Sequence, residues 1–249
     1  MKTSRSKPSK SEKIRALIKQ GATYTEIANK LKCSYQLVWT VANNDTKKTH
    51  EDLREHADYN TGSIPFSSAW CNFAITNYFN PDVIAEVGTF IGKSTMSLAY
   101  GMFRASQRDI VSTQKAIYTC DMSNDIDIGG KAWQINIEQY KKKSSAEMFC
   151  DMRTKNIHAD IINIDGRLGA EDFDVVFDVV TERTIFLLDD FEGTEKGVAN
   201  AFNLFTQPSM RKHTLIYPPE RDLLTKHGLS EPCFTAMIVP TILIEFHNQ

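Results

Sequence analysis

The sequence predicts an α/β fold with a mostly parallel sheet, preceded by a small all-α module. Three observations carry this. From Pro81 onward, short apolar runs of strand length alternate with longer amphipathic stretches, the rhythm of strand–helix–strand units. The first run, Val83–Val87, passes through a two-glycine turn into an apolar helical stretch, as a buried parallel strand does when it hands over to its crossover helix. Charge also splits the chain: residues 1–50 carry eleven Lys or Arg against three Asp or Glu, and the remainder carries eighteen against twenty-eight. Hydrophobic patterning lapses at the same place, between Asn43 and His56. A basic tail and helical module over 1–48, a linker and helix over 49–80, and an α/β domain over 81–249 are therefore expected.

At 249 residues, 41% apolar and 24% charged, the chain has the composition of a soluble globular protein with one substantial core. Five cysteines without tight spacing make no disulfide framework. Cys120 and Cys150 read as buried thiols, and a reducing, cytoplasmic setting is expected. No apolar stretch follows the basic N-terminus, so neither a signal peptide nor a membrane span is predicted.

In the first module, Met1–Ser9 is a Lys/Ser-rich tail. Ser11–Gln20 reads as a helix with Ile14, Leu17 and Ile18 on one face, stopped by Gly21. Thr23 or Thr25 can cap a second helix through Leu31, and Ser34 a third through about Ala42, with Leu37, Val38 and Val41 inward. This stretch resembles a helix-turn-helix unit of the resolvase-like or sigma-factor-like kind. The resemblance implies that Tyr35, Gln36, Thr40 and Asn43 point outward from a recognition helix. That helix carries no Lys or Arg between Ser34 and Asn43, so the basic residues of the tail would hold phosphates rather than read bases. Contact with DNA or with a protein through residues 1–48 is expected, and a lone unit of this kind would need a homodimer to bind DNA well.

Ser67 can cap an aromatic-rich helix over Ser68–Phe79. After Val83–Val87 comes Glu86-x-Gly88-x-x-x-Gly92-x-Ser94, and the following helix runs over Ser94–Ser106. The glycines permit a sharp turn and close backbone approach to a ligand. Lys93 and Ser94 imitate the end of a phosphate loop, but Gly88 lies one position too close for that motif. Ala116–Asp121 is the second strand and ends in an acid suited to accepting from two ribose hydroxyls. Trp133–Tyr140 reads as a helix and Ala146–Cys150 as a third strand, with Asp151 at its end. Ala159–Ile164 and Thr184–Leu188 are the fourth and fifth strands, with a helix over Ala170–Val180 between them and another over Val198–Phe205. His213–Tyr217 and Met237–Phe246 close the sheet, and Pro240 calls for an edge position or a bulge.

Asp165 and the pair Asp189–Asp190 follow two apolar runs that read as adjacent parallel strands. Ligands sit outside the carboxyl ends of such strands, so these acids should converge. Three uncompensated carboxylates repel one another unless a cation lies among them, and a hard ion such as Mg2+ suits oxygen ligands.

The motif at Glu86–Ser94 resembles the first motif of the class I S-adenosylmethionine-dependent methyltransferases. Together with Asp165, Asp189 and Asp190 it is similar to the metal-dependent O-methyltransferases that act on sugars of macrolide and aminocoumarin natural products. The resemblance covers about Gly62–Gln249 and implies a Rossmann-like sheet of seven strands. It implies S-adenosylmethionine against Glu86, Gly88, Thr89, Phe90, Gly92, Ser94, Asp121, Met122, Asp151 and Asp165. It implies catalysis and Mg2+ binding at Asp165, Asp189 and Asp190, with a hydroxyl of a small molecule or sugar as methyl acceptor. Ile64–Ser67 would help to cover the cofactor, and Arg167, Glu192 and Glu195 would meet the acceptor. The chain departs from this family at Gly166–Leu168, where aromatic residues or His are common. Two other readings stand beside it. One is a nucleic-acid-associated methyltransferase or cofactor-sensing DNA-binding protein, which a basic cleft around Arg167, Arg183 and Lys196 would favour. The other is an inactive scaffold, against which the intact Glu86, Gly88, Gly92 and Asp121 argue.

Overall fold

A computed structural model describes residues 8–20, 22–38, 41, 64–108, 114–122 and 127–245. The chain divides into two compact units, Met1–Glu55 and His56–Gln249.

In the first unit, α1 (Lys10–Lys19) and α2 (Tyr24–Leu31) each begin with a reciprocal capping box, Ser9 with Glu12 and Thr23 with Glu26. Each box satisfies two of the backbone donors that a helix start leaves open, so Thr23 rather than Thr25 is the cap. Ser34 Oγ accepts from Leu37 N at 3.1 Å, opening a helical stretch over residues 35–38. Ile14, Ile27, Ala28, Val38 and Val41 form the core of this unit. Leu37, expected inward, is exposed instead. Val38 and Val41, three apart, take the buried face, and Leu37 stands one position around the helix from it. Tyr35 and Gln36 are exposed; Gly21, Thr40, Ala42 and Asn43 lie outside the described residues.

The second unit begins with α3 (Phe66–Phe79). Its cap is not Ser67. Phe66 N donates to the Glu231 carboxylate at 2.6 Å and the Ser67 hydroxyl to Glu231 O, so a distant acid meets the positive end of the helix dipole.

Among the described residues, eight strands follow in the order β3-β4-β2-β1-β5-β6-β8-β7. They are β1 (Val83–Val87), β2 (Ala116–Asp121), β3 (Gly130–Ala132), β4 (Ile135–Lys141), β5 (Ala159–Ile164), β6 (Val180–Leu188), β7 (His213–Ile216) and β8 (Ala236–Pro240). β1, β2, β4, β5 and β6 run parallel; β3 and β8 pair antiparallel with their neighbours. The order reverses at β1, between β2 and β5, which is where an open α/β sheet forms its ligand crevice. Side chains alternate between two cores. Ile84, Ile161 and Leu187 pack with Leu98 of α4 (Lys93–Ser106), while Ile162 and Phe186 pack with Phe149 of α5 (Ser145–Thr154).

Several boundaries differ from the sequence reading. Among the described residues the sheet has eight strands, not seven. Trp133–Tyr140 is not a helix: β3 and β4 form a hairpin there, and β4 alternates buried Ile135 and Ile137 with half-buried neighbours. That alternation has period two, the signature of a strand. Ala146–Cys150 is not a strand but part of α5, whose start is a Ser144–Glu147 capping box. Ala170–Val180 holds only α6 (Ala170–Phe173) and a 3-10 turn over Val176–Asp178, and β6 begins at Val180. β8 is an interior strand, so Pro240 occupies neither an edge strand nor a bulge. It is tolerated because it ends the strand, beyond the residues that pair with β6, and a short helix over Thr241–Glu245 follows.

Candidate active site

The carboxyl ends of β1, β2, β5 and β6 open into a cleft of about 450 Å3. Gly88 and Phe90 line it after β1, Asp121 at the end of β2, Asp165 after β5, and Asp189, Asp190 and Glu192 after β6. Ile64, Pro65 and Phe234 supply apolar wall, and Lys196 enters from the start of α7 (Lys196–Phe205).

Backbone bonding past the strand ends brings these groups together. Gly88 N and Thr89 N both donate to Cys120 O, at 2.9 and 3.2 Å. Asp165 N donates to Val87 O at 2.8 Å and Asp189 N to Ile164 O at 3.1 Å. Phe90 N donates to Asp121 Oδ2 at 2.8 Å, tying the turn to the acid beside it. Gly88 has φ +98°, and a Cβ there would lie 2.9 Å from Asp165 O. Only glycine meets both constraints without strain.

Several residues predicted to touch a cofactor lie beneath the turn. Glu86 is fully buried, and its carboxylate accepts from the Thr95 and Thr119 hydroxyls and, at 3.2 Å, from the Asn163 amide. Burial raises its pKa, opposed by hydrogen bonds from Ser94, Thr95, Thr119 and Asn163. Thr89 is buried against Thr119, hydroxyl to hydroxyl at 2.6 Å, and Ser94 is buried as well. Gly92 opens α4 and packs against Ile128, and Met122 is exposed just beyond β2. Asp151 is elsewhere, in α5, bonded to the Tyr140 hydroxyl and paired with Lys155 at 2.7 Å. The strand that would have aimed it at the cleft is a helix.

Asp165, Asp189 and Asp190 do converge, but not uncompensated. Lys196 Nζ donates to Asp165 Oδ1 and to Asp165 O, both at 2.7 Å, and pairs with Asp190 Oδ2 at 3.0 Å. Asp189 is buried and accepts from the Thr235 hydroxyl at 2.9 Å. Burial and the neighbouring charge of Asp189 push Asp165 up to about 7, against the pull of Lys196. Burial raises Asp189 too, and the Thr235 bond opposes it. For Lys196 burial works downward, but its bonds to Asp165 and Asp190 outweigh it and the pKa rises. Among the described residues, no group of three or more His, Cys, Asp or Glu is arranged to hold a metal ion. The Mg2+ expected among these acids does not fit, because a lysine ammonium already stands between two of them.

Lys196 gets there because of Gly197. A Cβ at Gly197 would lie 2.2 Å from Asp189 O, so the start of α7 rests directly on the Asp189–Asp190 turn. The lysine six residues after an Asp pair, followed by glycine, was the available signal in the sequence. Phe234 and Thr235, just ahead of β8, left none, since only the fold carries them to β6. The basic cleft is not assembled. Arg183 lines a separate cavity with Asp82 and Asp160, and Arg167 is exposed. Glu195 is the cap residue of α7 and does not line the cleft.

No protein-family model matches the sequence, and no curated protein does either. Among solved structures, the chain is similar to an O-methyltransferase from Bacillus cereus in complex with SAH. That match has 12% identity and a TM-score of 0.50, covering 78% of this chain and 90% of that one. It is also similar to the O-methyltransferase TomG from Streptomyces achromogenes in complex with SAM, at 10% identity and TM-score 0.47, covering 78% and 88%. A third is the Podospora anserina methyltransferase PaMTH1 bound to SAH, at 12% identity and TM-score 0.45, covering 78% and 86%. Among the described residues no helix is long and apolar enough to cross a membrane. The likeness to the Bacillus cereus structure is one of architecture, and over the 78% of the chain that it covers it shows an α/β methyltransferase fold.

Proposed function

We propose that the chain transfers a methyl group from S-adenosylmethionine to a hydroxyl of a small molecule or sugar. The observation that carries this reading is the shared cleft. A glycine turn, Asp121 and a half-buried carboxylate, Asp165, whose pKa is pushed up to about 7, line it together. Its volume lies in the range of small-ligand pockets. Gly88 gives backbone access, and Asp121 has the position and chemistry to accept from ribose hydroxyls. When bound, the cofactor supplies an electrophilic methyl group on a sulfonium.

The chain's own residues supply proton handling and an apolar wall. A hydroxyl that gains a methyl group must lose its proton. Asp165 is suited to take it, because a base with pKa near the working pH is most effective. Lys196 holds that carboxylate in place from the side. Ile64, Pro65, Phe90 and Phe234 line the same cleft and offer apolar surface for a bound acceptor to cover. No divalent ion enters this reading, because Lys196 Nζ pairs with both Asp165 and Asp190.

The test is calorimetric titration with S-adenosylhomocysteine. The wild-type protein should bind it in the micromolar range. Asp121→Ala should bind at least about tenfold more weakly, since losing hydrogen bonds to a charged acceptor costs about 1.5–3 kcal/mol. Absence of binding by the wild-type protein would sink the assignment.

A further inference from the structure

Asp165, Asp189, Asp190 and Lys196 form an arrangement in the cleft that methyl transfer as described uses only in part. Lys196 is the sole cation lining the cleft among the described residues. Its ammonium makes two contacts to Asp165, one to the carboxylate and one to the main-chain oxygen, and a third to Asp190. The main-chain oxygen of Asp165 is also the atom against which Gly88 is packed. A Cβ at Gly197 would lie 2.2 Å from Asp189 O, so α7 starts in close contact with the Asp pair and carries the lysine into the site.

We propose that Lys196 is the resident cation of the acceptor site, standing where a divalent ion would otherwise bridge Asp165 and Asp190, so that the site operates without such an ion and can bind one only when the lysine is removed. The physical reason is exclusion as well as replacement. Divalent ions need carboxylate oxygens at about 2.0–2.6 Å, inside the space the ammonium fills. A second cation a few ångströms from a fixed positive charge is also repelled in a partly buried site. Lys196 is thus a positioning residue, holding Asp165 for proton transfer. That role rests on the methyl-transfer reading, whereas the exclusion of a metal does not.

The experiment titrates Mn2+ into chelator-washed protein and reads free Mn2+ by electron paramagnetic resonance. The proteins are wild type, Lys196→Met, Lys196→Ala and Lys196→Arg, each with its circular dichroism spectrum recorded. Lys196→Met or Lys196→Ala should bind one Mn2+ at least about tenfold more tightly than wild type, as expected when a fixed positive charge leaves the ligands. Lys196→Arg should behave like wild type. One micromolar Mn2+ site in the wild-type protein would overturn the proposal whatever the variants do. So would folded Met and Ala variants with no gain. S-adenosylhomocysteine binding, measured on the same samples, reports separately on the methyl-transfer reading.

Discussion

Replacing Gly197 by Ala puts a methyl group 2.2 Å from the carbonyl oxygen of Asp189 and 3.0 Å from the carbonyl carbon and oxygen of Asp190. These neighbours are backbone and cannot rotate away. Relief requires α7 and the Asp189–Asp190 turn to part by about 1 Å, the shortfall from ordinary contact at about 3.5 Å. Overpacking of this kind costs about 1–3 kcal/mol. For a unit of this size each kcal/mol lowers Tm by about 2–4 °C, so a fall of about 2–12 °C is expected. The same displacement lengthens the 2.7 Å bond from Lys196 to Asp165 beyond hydrogen-bonding range. Thermal unfolding followed by circular dichroism is the assay. Gly169→Ala is the control, because its nearest atom, Asp172 Oδ2, lies at 3.8 Å. A Gly197→Ala protein as stable as the control would refute the close seating of α7 on the turn, and with it the route by which Lys196 reaches the acids.

Two further outcomes are expected. Asp165 titrates near 7 in the fold against an ordinary value of 3.8, so its folded form holds a proton that the unfolded chain gives up. That stability is complete below about pH 4 and is lost as pH rises through about 7; Asp189 acts in the same direction. Tm should therefore decline from pH 5 to pH 8 more steeply in wild type than in Asp165→Asn, while methyl transfer rises over the same interval as the base form appears. Equal pH slopes in the two proteins would contradict the assignment. Glu86→Ala strands the donors of Thr95, Thr119 and Asn163 in the core, at about 1–3 kcal/mol each. Urea unfolding should show a loss of about 3 kcal/mol or more, and a clearly smaller one for Glu86→Gln, which keeps the volume and an acceptor oxygen. Equal losses would place the carboxylate's importance elsewhere.

What was legible in the sequence follows from locality. Val83–Val87, the glycine turn and α4 are contiguous, and apolar run, glycine and helix start describe them almost completely. Asp121, Asp165, Asp189 and Asp190 were found because each directly follows a strand whose apolar run is visible, and parallel strands bring their ends to one edge. The misreadings were also local. Ile135 and Ile137 alternate as a strand does, and Ser144 with Glu147 is a capping box, but the expected helix and strand left no room for either. One wrong assignment carried Asp151 with it.

By itself, then, the sequence determined the α/β class, the turn after β1 and the row of acids at the strand ends, since each depends on residues within a few positions of one another. Only the tertiary structure decided what those acids face. Lys196 stands 31 residues from Asp165, and Thr235 stands 46 from Asp189. Charge in a cleft is a sum over everything the fold brings near. A count of carboxylates along the chain therefore called for an added metal ion, where the folded molecule supplies an ammonium of its own.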